Sequence, residues 1–154
     1  LPEFVRSTEG QFSLNYATKT FNQLFRLPKA GGEHGMLIYD TYDCMAFWLI
    51  DPMIVSFMVT WLYALTRKRK AYGLNLIIVP ATISVHLMID CCHKTMGGYQ
   101  FGNRYIVDML PYVFYGLITY KQGVGKAEWL NNPLFALGFS INLIGTVSTY
   151  NHWI

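Results

Sequence analysis

The chain has 154 residues, of which 53% are hydrophobic, 16% aromatic and only 14% charged, with a formal net charge of +3. A water-soluble domain ordinarily carries about 25% charged residues, and a small domain has proportionally more surface to cover with polar groups. Disorder, a collagen-like repeat and a small disulfide scaffold are excluded, which leaves a membrane protein or a very apolar soluble one.

Residues 1–43 read as water-facing sequence, with charges, glycines and aromatics mixed. Within them, Phe12 to Leu27 places Phe21, Leu24 and Phe25 on one helical face, with Thr18, Asn22 and Arg26 elsewhere. That pattern predicts a short amphipathic helix, lying on a membrane surface or packed against the rest of a larger protein. Pro28 ends it, and the Gly31, Gly32 and Gly35 region is a loop. Asp40, Asp43 and Asp51 cluster ahead of the next segment, where they form an outer acidic site or, more naturally, serve as caps and solvated loop groups.

From Cys44 onward, residues 44–154 alternate long apolar runs with short polar breaks. The expectation is an all-α polytopic membrane fold with spans at about 52–66, 74–89, 105–120 and 133–150, behind an outer N-terminal segment. Each run is at the short end of what crosses about 30 Å of hydrocarbon, and flanking Trp, Tyr, Lys and Arg extend it into the headgroups. Buried helices of a soluble bundle are the alternative, but the runs lack a polar stripe. Asp51-Pro52 reads as a helix start, with Asp51 as N-cap and Pro52 first in the helix. Met45 to Ile50 then forms a short lead-in, and Pro80 and Pro111 kink their spans.

Basic residues set the expected orientation. Arg67, Lys68, Arg69 and Lys70 follow the first run, and Lys121 and Lys126 lie between the third and fourth. The positive-inside rule places both loops in the cytoplasm, and residues 1–50, the 90–104 loop and the C-terminus outside. The expected location is therefore integral to a membrane, with both termini extracytoplasmic. A nucleic-acid role for the RKRK run is less natural beside a span, so no nucleic-acid partner is expected. An outward N-terminal segment with no apolar signal region ahead of it suggests the C-terminal piece of a longer protein.

The stretch most suggestive of chemistry runs from Asp90 to Pro111. Gly97, Gly98 and Gly102 let backbone approach a ligand, and Tyr99, Gln100, Asn103, Arg104 and Tyr105 gather polar and aromatic groups. Arg104 and Asp108 stand four residues apart at a helix start and can pair. That pair fixes the helix end, or Asp108 orients Arg104 to receive a phosphate. Lys94 is a further basic group of the same loop. His86, Cys91, Cys92 and His93 match no standard zinc spacing, so no metal site is expected in this chain. With Cys44 there are three cysteines, which implies no paired framework.

Gly97 to Leu117, GGYQFGNRYIVDMLPYVFYGL, resembles a segment near the end of bacterial multi-spanning glycosyltransferases of the C-type membrane superfamily, which includes protein mannosyltransferases and aminoarabinose transferases. Gln100, Phe101, Gly102, Arg104, Tyr105, Asp108, Leu110 and Pro111 carry the likeness; the opening stretch to Pro28 and Met45 to Pro52 resemble the outer loop before it. The resemblance implies transfer of a sugar from a polyprenyl-phosphate donor to an outward-facing acceptor. It implies that Gln100, Arg104 and Tyr105 line the donor's phosphate region, and Asp108 and Lys94 are counted with them as candidate substrate-binding residues. A cation there stabilises charge developing on the leaving phosphate. The family's catalytic carboxylate matches no position here, so this piece alone is expected to be inactive. No cofactor is implied beyond a divalent metal in a complete enzyme. The implied partners are membrane lipid, the lipid-linked sugar, and further helices of the same protein or a partner subunit. Two other readings are a non-catalytic subunit or scaffold that packs against partner helices, and a transporter fragment built on His86, Asp90 and Asp108.

Overall fold

The computed structural model describes residues 9–27, 29–30, 37–38, 46–67, 69–95, 104–121 and 128–150. Helix α1 covers Leu14–Leu24, followed by a two-residue antiparallel pair of β1 (Lys29–Ala30) and β2 (Leu37–Ile38). Then come α2 (Phe47–Ile50), α3 (Met53–Arg67), α4 (Arg69–Tyr72), α5 (Asn75–Cys91), α6 (Arg104–Val107), α7 (Leu110–Lys121) and α8 (Glu128–Tyr150).

Local chemistry explains the boundaries. Ser13 caps α1 by accepting the Asn15 N–H, supplying an oxygen to an amide that has no partner within the helix. Gly73 adopts a positive φ of 51°, the left-handed conformation in which α4 gives way to α5 and which glycine takes without steric cost. Pro111 is the second residue of α7, where its missing N–H leaves no helical bond unmade.

The core lies where α3, α5 and α7 meet. Phe57 and Ala64 of α3, Leu76 and Val79 of α5, and Val113 and Tyr120 of α7 are buried together. Gly116 allows the α3–α7 approach, for a methyl group there would overlap the Phe57 ring and press Val79 Cγ1 at 3.2 Å. Three hydrogen bonds lace one end of this core: Tyr120 Oη donates to the Asn75 carbonyl (2.7 Å), Trp61 Nε1 to the Leu76 carbonyl (2.9 Å) and Tyr72 Oη to the Tyr120 carbonyl (3.2 Å). Tyr120 is thus buried, and Trp61 and Tyr72 half-buried, with their polar atoms satisfied.

Helix α1 lies against α5. The Ser13 N–H donates to the Cys92 carbonyl and the Lys94 N–H to the Gln11 carbonyl, both at 2.9 Å. Of the three apolar residues assigned to one face, Leu24 is fully buried, while Phe21 and Phe25 remain about half exposed. These two rings meet at a tilt of 56°, and Phe25 meets Phe47 of α2 edge to face.

The polytopic membrane architecture is overturned. Among the described residues no helix is long and apolar enough to cross a membrane. The four expected spans fall on helices, but those helices fail as spans for identifiable reasons. The 15 residues of α3 reach only about 22 Å at 1.5 Å per residue, short of about 30 Å of hydrocarbon. The 17 residues of α5 end on the ionisable His86 and Asp90. The third run breaks at Asp108 and Met109 into α6, of 4 residues, and α7, of 12. The 23 residues of α8 have the length, but Asn131, Asn132, Ser140, Asn142 and Ser148 interrupt their apolarity. The inside and outside assignments of loops and termini lose their basis with the spans, and an integral-membrane location is not supported.

Candidate functional site

Three features stand apart from a plain helical core: a histidine–carboxylate cluster, a carboxylate in an aromatic-walled corner, and large apolar faces turned outward.

The cluster sits at the C-terminal end of α5. His86 and Asp90, one turn apart on the same face, bring Nε2 to 3.5 Å from Oδ2. Asp90 is buried, and among the described residues its Oδ2 has no hydrogen-bond donor. Burial pushes its carboxyl up to about 6; His86 opposes the rise, Asp108 adds to it and His93 opposes it. His93 is itself buried, its ring edge-on to Phe12 (centroids 4.8 Å apart) and Tyr105 (5.0 Å), and its Nδ1 takes the Thr95 N–H at 3.2 Å. A carboxyl near 6 can take up or release a proton around neutrality, and perturbed groups of this kind mark functional candidates. Cys91 beside it is buried with its thiol raised, chiefly by desolvation, which makes it a poor nucleophile. No group of three or more His, Cys, Asp or Glu among the described residues is arranged to hold a metal ion.

The corner lies where α2 turns into α3. The Asp51 N–H donates to the Phe47 carbonyl (2.8 Å) and the Asp51 carbonyl accepts the Ile54 N–H (3.0 Å). The expected N-cap role is therefore not taken by the side chain: among the described residues no donor reaches its carboxylate. Burial alone pushes that carboxyl up to about 6.

The residues tied to sugar transfer are not assembled into a comparable site. Arg104 opens α6 and is exposed, as is Asp108 at the helix break, and no ion pair joins them. Their four-residue spacing presumes a continuous helix, which ends at Val107. Tyr105 is half-buried against His93, and Lys94 is half-buried on the strand-like contact with Gln11. Gln100, Phe101 and Gly102 lie outside the described residues, as do Gly97, Gly98, Tyr99, Asn103, Asp40, Asp43 and Cys44.

The outward faces are the largest departure from an ordinary water-facing surface. Along α5 and its N-cap, Leu74, Ile77, Ile78, Val85, Met88 and Ile89 recur at helical spacing and are all more than half exposed, while Leu76, Val79, Asp90 and Cys91 point inward. On α8 the order is reversed: Gly138, Gly145 and Ser148 are buried, while Leu143, Ile144 and Tyr150 are exposed. A helix at a water-facing surface turns its apolar stripe inward; α8 turns it out. The spacing of these residues is visible in the chain, but periodicity alone does not tell which of two apolar faces packs inward.

Comparison with protein-family models, with curated proteins and with solved structures found no match.

Proposed function

We propose that this chain is a non-catalytic helix-packing module, a structural element whose outward apolar faces are covered by further helices of a larger assembly. The observation that supports it is the continuous apolar stripe on α5 from Leu74 to Ile89, lying opposite a second apolar face that is already buried. Isolated exposed apolar residues are ordinary, but a contiguous apolar face marks an interaction surface. The inverted arrangement on α8 favours the same reading, because small residues inward and large ones outward suit a helix with neighbours on both sides.

The test is sedimentation equilibrium of the purified chain, together with binding of an apolar dye. The chain alone self-associates in the micromolar range and binds dye. The triple variant Ile77→Asp, Val85→Asp, Met88→Asp stays helical, sediments as a monomer and loses most dye binding. A wild-type chain that remains monomeric and dye-silent at 100-fold higher concentration overturns the proposal.

A further inference from the structure

The corner between α2 and α3 opens into a cavity of about 300 Å³ against α7 and α8, at the lower end of the range that takes small molecules. Phe114 of α7 and Phe135 and Phe139 of α8 wall it, with Leu110 and Leu134 completing the apolar lining. Among the described residues Asp51 is the one ionisable residue lining it; α2, α3, α7 and α8 present no other described titratable or charged group there.

Asp51 is held in place and, among the described residues, has no counter-charge. Its backbone is pinned at both N–H and carbonyl by the turn, and no neighbouring charge contributes to its raised carboxyl. Asn142 on the facing wall cannot supply the missing donor, because its amide N–H groups are committed to the Ile50 and Gly138 carbonyls, each at 2.8 Å. Its Oδ1 remains without a donor among the described residues. A carboxylate desolvated among apolar groups is costly unless a cation meets it. Aromatic faces attract cations through their quadrupoles.

We propose that this corner binds small organic ammonium ions, an alkyl- or arylamine whose charged head meets the Asp51 carboxylate while its apolar body lies among Phe114, Phe135 and Phe139. An anion is repelled by Asp51, and a neutral apolar molecule leaves the carboxylate unpaired. The helix-packing reading is not a premise of the site, whose charged floor, Asp51, is half-buried at the α2–α3 turn.

Isothermal titration with phenethylammonium and with 2-phenylethanol, its neutral counterpart, tests the site on the whole chain. Wild type is expected to bind the amine at least tenfold more tightly than the alcohol at pH 7.5. Below about pH 6 the carboxylate is progressively protonated, and amine affinity falls toward tenfold per pH unit while that for the alcohol stays constant. Asp51→Asn abolishes the preference, and Phe139→Ala, at an exposed position, weakens amine binding while leaving helix content unchanged. Equal affinity for the two probes in wild type overturns the proposal. So does a helical wild type that binds neither at millimolar concentration, or an Asp51→Asn variant that keeps the preference.

Discussion

Two seams of this molecule follow opposite rules. Where α3, α5 and α7 meet, Phe57, Tyr120 and Val113 are large and fully or almost fully buried, and the tyrosine and tryptophan polar atoms are satisfied by backbone carbonyls. Where α8 meets α2 and α3, the contact is made by small and polar groups. Gly138 lies against the Pro52 ring, Asn142 bonds the Ile50 carbonyl, and Ser56 Oγ bonds Asn131. The first seam buries its own apolar surface and supplies the hydrophobic stabilisation of the fold. The second achieves close approach and specific polar pairing, and leaves the large side chains of α8 outside. A chain that spends its small residues inward and its large ones outward carries an unmet demand for burial on that side.

The sharpest break of this contrast is Phe57→Ala. The ring is 2% exposed, packs against Tyr120 and covers Gly116, so its removal costs about 3–5 kcal/mol in urea-induced unfolding. A loss below 1 kcal/mol shows that the first seam is not the stabilising one. Gly138→Ala probes the second seam. The added methyl would stand 2.7 Å from Pro52 Cδ and 3.5 Å from the Ile50 carbonyl oxygen, and the overpacking costs about 1–3 kcal/mol. An unchanged midpoint means that α8 is free to shift and that its register is not set by this contact.

A third test lies in pH. Asp51 and Asp90 both have folded carboxyl values raised to about 6 against ordinary values of 3.8, so the folded chain holds more protons than the unfolded one between those limits. Stability contributed by these groups is therefore fully present below about 4 and falls as pH rises through 6. Chemical denaturation across pH 4 to 7 is expected to show that decline, and Asp90→Asn to flatten part of it while stabilising the chain at pH 7. An Asp90→Asn variant with the wild-type slope removes Asp90 from the account.

Much of the helical layout is legible in the chain, because apolar runs bounded by Asp51-Pro52, Arg67 and Gly73 coincide with helices. Reading those runs as membrane spans fails because hydropathy records what a helix can bury and not what it buries against. The 105–120 run looks continuous, yet the chain breaks at Asp108, where an exposed carboxylate ends one short helix before Pro111 starts the next. That break also dissolves the Arg104–Asp108 pairing, since the spacing argument assumed one helix. Asp51 is visible as a cap-type residue, but the letter does not tell a capping carboxylate from a half-buried one that no described donor reaches. The His86–Asp90 spacing is equally visible, whereas its inward orientation depends on which of α5's two apolar faces meets α1 and α7.

The central claim is that the outward faces of α5 and α8 are covered in the assembled protein. Carbene footprinting with a water-borne precursor tests it most directly, comparing the protein in intact cells with the purified chain. The account predicts that Val85, Met88, Leu143 and Ile144 are labelled in the purified chain and protected several-fold in cells, while exposed Thr66 and Lys70 are labelled alike in both. Equal labelling of the apolar positions in the two samples would contradict it.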